Sequence, residues 1–424
     1  MRTGYSPFAP NLELLILTDL QHLKVLFVTS WYPSRPDRLS GIFVREQAKA
    51  AGLYCDVAVL HLAGGSGNCS WRLEQETDES ICEGIPTWRL WNREFPIRGA
   101  WRLFRSRDTI QAFEELGRRG VRPDVIHAHV YPAGLAAARI GKHRGIPVVL
   151  SEHFGALLRG TLRRREIATA RAAFGAADIV LPVSGALQRA IEQYGISARF
   201  RIVPNAVDTE LFAPGARQPR KGGPVRLLWV AMFSENKGLC CLLRGLADLG
   251  AREKQAGDCP NFPAGKMGLS PSETTGWRLD VIGDGPGRSS YEQLAQDSGL
   301  ADKVVFHGRK QRAEVVEFMR RADIFVLSST FETFSVVTAE ALATGTPVLA
   351  TRCGGPEELV SEDCGMLVPA GDPAAMAAAL RAMIERLPTF DRPDIARRAA
   401  ERFGFEAVGK MLLEAYTDVT TAAR

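Results

Sequence analysis

The sequence predicts an α/β protein of two doubly wound domains, each an open parallel sheet covered by helices, facing each other across a cleft. Three observations predict it. The chain has 424 residues, too many for one ordinary core and suited to two. Short apolar runs alternate with longer helix-like ones. A polar, Pro/Gly-rich stretch, Ala213-Pro214-Gly215 through Gly222-Gly223-Pro224, separates two such alternating sets.

Residues 1–22 precede the first clean strand and read as a loosely attached extension with no function of its own. Strand-like runs follow at Lys24–Thr29, Asp56–Leu60, Val125–Ala128, Pro147–Leu150, Asp178–Val183 and Arg201–Val203. Their near-continuous apolar character suits strands covered on both faces. Helical stretches lie between them at Gly41–Gly52, Gly134–Arg144 and Gly185–Tyr194. The second set starts at Val225. Gly250–Gly276 interrupts it with three prolines and no clear period, the composition of a disordered surface insertion.

Hydrophobic content of 46% and charged content of 24% are ordinary for a globular protein. No apolar run approaches the ~20 residues of a membrane helix. The nearest, Leu12 to Leu20, is broken by Glu13 and Asp19 and makes a poor signal peptide. Eight cysteines show no Cys-x-x-Cys pair or metal spacing, which suits thiols in a reducing cytoplasm. Net charge is +5 but unevenly spread: Arg98 to Arg165 holds fourteen Lys or Arg against five Asp or Glu. That excess favours an anionic partner. Nucleic acid is not expected, since neither an aromatic strand signature nor a Cys/His finger accompanies it.

The most informative segment is Phe331-Glu332-Thr333-Phe334-Ser335-Val336-Val337-Thr338-Ala339-Glu340. It follows the apolar run Asp323–Ser329 and leads into a small-residue helix ending at Gly345. Glu332 is expected in the strand-to-helix loop and Glu340 about two turns into the helix. The amides of Phe334 to Val337, with Ser335 and Val336 between them, would lie free at the positive end of the helix dipole. That terminus suits a phosphate, and the flanking carboxylates suit sugar hydroxyls, so the segment reads as a nucleotide-sugar pocket.

Further stretches extend the pattern in order: Trp31-Tyr32-Pro33, Gly41-Ile42-Phe43-Val44-Arg45-Glu46-Gln47, Pro204-Asn205-Ala206-Val207-Asp208, Lys237-Gly238-Leu239, Val281–Pro286, Val304–Gly308 and Gly354-Gly355-Pro356-Glu357. Together these resemble the retaining family 4 glycosyltransferases of the GT-B fold, from roughly Leu23 to Phe405. The resemblance implies two Rossmann-like domains: an acceptor domain at 23–216, a nucleotide-sugar donor domain at 217–392, and helices at 393–424 that return to the first domain. It also implies transfer of a hexose-type sugar from a nucleotide diphosphate, with retention, to a saccharide or lipid-linked acceptor in cell-surface polysaccharide synthesis. Neither a metal nor any cofactor besides the donor is expected, and the enzyme would be cytoplasmic.

The resemblance and the residue chemistry together name the site. Gly41 opens a helix soon after the first strand, where backbone can approach the donor diphosphate closely. His129, ending the strand Val125–His129, is expected to point into the cleft toward the donor sugar, with His127 deeper on the same face. His153, in Ser151-Glu152-His153-Phe154, is a further candidate. Lys237 is the cation for the leaving diphosphate, Glu332 meets the sugar and Glu340 the ribose. Arg309 and Lys310 follow the strand Val304–His307 and Gly308 in a loop that, by the resemblance, lines the nucleotide base pocket, which makes them candidates for base or phosphate contact. Three positions depart from the family: Met232 stands where an arginine is usual, and Ser335 and Ala206 where glycines are. Arg309 or Arg312 is the expected substitute for the missing charge. The departure at Met232 keeps open a catalytically weak or silent nucleotide-sugar-binding protein, and a nucleotide-sugar epimerase is the other alternative.

Trp101–Arg107 and Leu157–Arg165 both mix apolar and basic side chains. They are expected to hold the enzyme against an anionic membrane, which would bring it to a lipid-linked acceptor.

Overall fold

The computed structural model of the protein describes residues 23–65, 70–93, 101–216, 222–257 and 276–423. The extension at 1–22 and most of the insertion lie outside the described residues, as do the side chains of 101–106 in the first apolar-basic stretch.

The first sheet has seven strands: β1 (Lys24–Thr29), β2 (Asp56–Gly65), β3 (Arg72–Gln75), β4 (Thr87–Asn92), β5 (Val125–His129), β6 (Val148–Glu152) and β7 (Ile179–Pro182). Their order is β3-β4-β2-β1-β5-β6-β7, parallel throughout except for β3 against β4. The helices of this half are α1 (Ile42–Gly52), α2 (Glu79–Cys82), α3 (Trp101–Arg118), α4 (Tyr131–Arg144), α5 (Gly155–Leu158), α6 (Arg164–Phe174) and α7 (Gly185–Gln193). The central strands are apolar on both faces because helices cover both. β3, the edge strand, and β4 beside it carry too many polar side chains for that signature. Arg201–Val203, expected as a strand, is not one. The amides of Arg201 and Val203 bond to Val180 and Pro182 carbonyls at 3.0 and 3.2 Å, but Pro182 has no N–H to return.

The second sheet has six parallel strands: β8 (Val225–Val230), β9 (Trp277–Ile282), β10 (Val304–Phe306), β11 (Ile324–Leu327), β12 (Val348–Arg352) and β13 (Gly365–Pro369), in the order β10-β9-β8-β11-β12-β13. Around it lie α8 (Leu239–Gly257), α9 (Arg288–Asp297), α10 (Arg312–Arg321), α11 (Val336–Ala343), α12 (Pro356–Leu359), α13 (Pro373–Arg386), α14 (Arg392–Phe403) and α15 (Phe405–Ala423). The insertion therefore begins later than Gly250, since α8 runs on to Gly257.

Both sheets are doubly wound, the fold class expected. Strand order reverses between β1 and β5 in one and between β8 and β11 in the other. Loops leaving such a switch point diverge and open a crevice at the C-terminal ends of the strands.

The chain does not return to the first domain at 393. α14 packs against α11 of the second domain, and only α15 crosses back to lie on α1. Gly404 ends α14 in extended backbone, where an added Cβ would meet the Ala400 carbonyl at 2.6 Å. Beyond it, Val408, Leu412, Ala415, Tyr416 and Val419 complete the core that includes Phe27, Val59, Val149 and Leu181. Each large apolar side chain buried there contributes roughly 1.5–3 kcal/mol. The Tyr416 hydroxyl also hydrogen-bonds His127 Nδ1 at 2.7 Å, with Ser151 Oγ 2.8 Å from Nε2.

Direct contacts close one side of the crevice. The Glu358 carboxylate accepts the Gly185 and Ala186 amides at the start of α7, at 3.0 and 2.9 Å. Ser184 Oγ donates to the Thr333 carbonyl at 2.6 Å, and Thr333 Oγ1 to the His153 carbonyl at 3.3 Å.

Candidate functional site

The loop after β11 carries Glu332 and the helix α11 carries Glu340. Ser335 caps α11 at φ 78°, ψ 79°, left-handed backbone that a serine adopts only under strain. This kink delays the helix to Val336, so Glu340 is its fifth residue, just past the first turn and not two turns in. Among the described residues the amides of Phe334 to Val337 bond to no acceptor, as expected for an anion-ready terminus. Phe334 itself is buried against Phe403, so it offers backbone and not side chain.

Glu332 is pinned through its backbone: its amide donates to the Cys353 carbonyl and its own carbonyl accepts the Gly355 amide, both at 2.8 Å. Its Oε1 accepts from Ser329 Oγ at 2.8 Å and from Lys237 Nζ at 2.6 Å. Lys237 arrives from the loop after β8, the opposite lip of the switch point. Its turn closes on Gly238 at φ 67°, where a Cβ would stand 1.9 Å from the Ser328 carbonyl oxygen, so only glycine brings the two loops this close.

Glu340 faces Arg312, whose Nη2 lies 3.4 Å from Glu340 Oε1 and whose Nη1 lies 3.0 Å from Glu46 Oε1 on α1 of the other domain. The chain of charge continues through Arg45, 3.1 Å from Glu46 and 2.8 Å from Glu83. Burial pushes the Glu340 carboxyl up to about 7, against the pull of Arg312. Arg312 is therefore already held by two carboxylates and is not the loose substitute cation expected. Met232 is 68% exposed, so the position that lacks the arginine does face solvent. Arg309 is exposed, while Lys310 pairs with Glu314 at 3.0 Å along α10. Both follow edge strand β10, two strands out from β8 in the sheet.

In the first domain, Gly41 begins α1 at φ 68°, and a Cβ there would lie 2.2 Å from the Trp31 carbonyl carbon. The close approach that requires glycine is thus to the chain's own Trp31–Tyr32 backbone. His127 does lie deeper than His129, but His129 is fully buried and does not open on the cleft. The register explains it: His129 pairs with Ser151, so His153 lies two residues further along and covers it. His129 Nδ1 and His153 Nε2 are 3.2 Å apart, their rings stacked at 5.5 Å, and Phe43 packs on His153 at 4.6 Å. His129 Nε2 bonds to no group among the described residues. Desolvation holds all three histidines neutral: His127 and His153 fall to about 3 and His129 well below its ordinary value. At neutral pH these rings exchange hydrogen bonds as neutral imidazoles and carry no charge.

Sequence reasoning missed the Arg45–Glu46–Arg312 links and the buried carboxylate of Glu152. Glu46 and Arg45 lay inside a quoted motif, but their partners are far off in sequence. The stretch Leu157–Arg165 is not one helix: α5 ends at Leu158 and α6 starts at Arg164, with Leu157 and Leu162 buried and Arg163, Arg164 and Arg165 exposed.

Two family descriptions match the chain, one per sheet: Glycosyltransferase Family 4 over residues 43–211 and Glycosyl transferases group 1 over residues 224–386. A D-inositol 3-phosphate glycosyltransferase of Paenarthrobacter aurescens (strain TC1) is 27% identical over 324 residues, 71% of this chain and 74% of its own. D-inositol 3-phosphate glycosyltransferase 1 of Catenulispora acidiphila is 30% identical over 303 residues, 66% of each chain. Among solved structures, sucrose-phosphate synthase from Thermosynechococcus elongatus superposes with a TM-score of 0.71 at 18% identity, covering 94% of this chain and 100% of that one. HepE of Anabaena in complex with UDP superposes with a TM-score of 0.70 at 20% identity, covering 93% and 100%. At those identities the structures speak for the fold.

Proposed function

Because the chain belongs to the family 4, group 1 glycosyltransferases of the GT-B fold, we propose that it moves a hexose from a nucleotide diphosphate donor to an acceptor hydroxyl with retention of configuration. The observation that carries this reading is the α11 terminus: free amides from Phe334 to Val337, with Glu332 and Glu340 on either side and Lys237 at 2.6 Å from Glu332. In this reading the diphosphate takes the amides and Lys237, the sugar hydroxyls replace Lys237 on Glu332, and the ribose hydroxyls donate to Glu340. Lys237 and the amides stabilise charge as it develops on the leaving group. His153, neutral, contacts the sugar, and His129, buried beneath it, backs its ring. The departing phosphate takes the acceptor proton on the same face, and no metal takes part. HepE has been solved with UDP-glucose, which supports UDP-glucose as the first donor to test.

Two observations bear on the acceptor. Arg163, Arg164 and Arg165 are exposed and have no carboxylate partner among the described residues, which favours a lipid-linked saccharide presented at an anionic membrane. The names of the relatives favour a phosphorylated cyclitol instead.

The test is incubation of purified protein with UDP-, GDP- and ADP-hexoses, following donor loss and the anomeric configuration by NMR. Hydrolysis or transfer that releases the α-sugar from an α-donor supports the reading. An inverted product overturns retention, an epimerised donor identifies an epimerase, and binding without turnover identifies a silent partner. Co-sedimentation with anionic vesicles, falling with salt and on conversion of Arg163, Arg164 and Arg165 to Ser, separates the membrane acceptor from a free one.

A further inference from the structure

We propose that Glu152 is a positioning residue: its buried carboxylate clips the turn after β5 to the turn after β6 and so sets the His129 and His153 rings against each other. The proposal rests on reading His153 as a donor-sugar contact, with the buried His129 ring behind it. Glu152 is wholly buried. Its Oε2 accepts the Tyr131 amide at 2.9 Å, and its Oε1 accepts the His153 and Phe154 amides at 2.8 Å each. The three donors stand at the start of α4 and just before α5, and two of them belong to or directly follow His153. With both oxygens engaged by backbone, the carboxylate cannot reach substrate or shuttle a proton to it.

The turn it holds is strained. Val130, between His129 and the captured Tyr131 amide, sits at φ 61°, ψ 143°, backbone that glycine tolerates and a β-branched residue avoids. Its amide donates to the Ser151 carbonyl at 2.8 Å, and its carbonyl accepts the Ala133 and Gly134 amides at 3.1 Å. Such a conformation persists only where the surroundings over-determine it. Beside the His129–His153 contact, the Glu152–Tyr131 bond ties this turn to the neighbouring loop through a side chain. A glutamine would present its NH2 to one of the amides, donor against donor, and release one end of the clip.

The experiment compares wild type, E152Q, V130G/E152Q, H129A and H153A. Its readouts are ring ¹⁵N NMR of the histidines, affinity for UDP, UDP-glucose turnover and thermal unfolding. E152Q should shift the His129 and His153 ring resonances and lower turnover by about 10- to 100-fold, the scale of a small misplacement of reacting groups. UDP affinity should hold within about twofold, since the α11 terminus lies in the other domain. Glycine at 130 takes the turn without strain, so V130G/E152Q should move both rings and turnover back toward wild type, and it supplies a folded background should E152Q not fold. Ring resonances in E152Q that match wild type, ring resonances in the double variant no nearer to wild type than those of E152Q (or far from wild type where E152Q does not fold), or a loss of turnover that only follows the folded fraction, would overturn the proposal. If the rings move in E152Q while H129A and H153A turn over normally, the clip stands and the reading of His153 as a donor contact backed by His129 falls.

Discussion

Ser335 shows what a single residue contributes at this site. Only its amide is needed at the helix start, yet its φ of 78° charges a serine for conformation that glycine adopts freely. Ser335→Gly should therefore raise stability by about 1 kcal/mol in urea unfolding, the cost of left-handed backbone for an L-residue, with the amide and nucleotide affinity retained. A loss of stability would mean that the Ser335 Oγ contact to Thr338 Oγ1 at 2.8 Å outweighs the strain. Glu332 and Glu340 should separate by assay. Glu340→Ala should weaken nucleotide affinity by roughly 1.5–3 kcal/mol, the range for hydrogen bonds to a charged group, while Glu332→Gln should lower turnover and leave free-nucleotide affinity intact. Equal effects on affinity would reverse the roles. Met232, two-thirds exposed, should accept arginine without loss of fold; calorimetry against a transfer assay checks whether the added charge raises activity. The individual side chains of the second domain were legible because spacing along one chain segment sets them: Glu332 and Glu340 straddle one helix start. The pairing of Arg312 was not, because its two carboxylate partners lie 266 and 28 residues away.

At the scale of elements, α11 carries a titration. Burial lifts Glu340 to about 7, above the ordinary carboxyl value, so at neutral pH the free protein is partly protonated there. Ribose hydroxyls donate to the ionised form, so nucleotide affinity should rise with pH between about 6 and 8, and Glu340→Gln should flatten that dependence. Calorimetric titration at several pH values decides it. The same shift has the opposite sign for stability. The folded state binds more protons than the unfolded one between roughly 4.5 and 7, so wild type loses stability as pH rises through that window, and Glu340→Gln should gain up to about 3 kcal/mol relative to it by pH 8. The strands of both sheets were readable wherever helices cover both faces, since burial forces a continuous apolar run. They were unreadable at the edge, where β3 alternates with charge, and at Arg201–Val203, where β-like composition lacks a partner able to complete the ladder. The histidine pair fell between these cases: alternation gave the face, but the offset between β5 and β6 decided which ring is outermost.

Across the whole molecule, Arg312 joins α1 of one domain to α11 of the other. Arg312→Met would leave Glu340 without its cation and Glu46 with Arg45 alone, and breaking a buried pair in this way costs roughly 3–5 kcal/mol. The loss should be smaller at pH 5, where Glu340 is protonated, than at pH 8; urea unfolding at both values checks it, and a pH-independent loss would remove charge as the cause. The two-domain plan was legible from length, alternation and the linker, whereas the place where the chain crosses back was not, because α14 and α15 have similar helical patterns and differ only in what they face. That crossing bears on how the protein is made. The core shared by Phe27, Val149 and Leu181 is closed by Val408, Leu412 and Tyr416, so the first domain to leave the ribosome is the last to be finished. At common elongation rates, with roughly 200 residues still to be added, its open face waits on the order of 10–40 s for the helix that covers it. A nascent chain interrupted anywhere in that interval carries a bare sheet into solution, so chaperone capture and proteolysis should concentrate on truncated products that contain a complete first sheet.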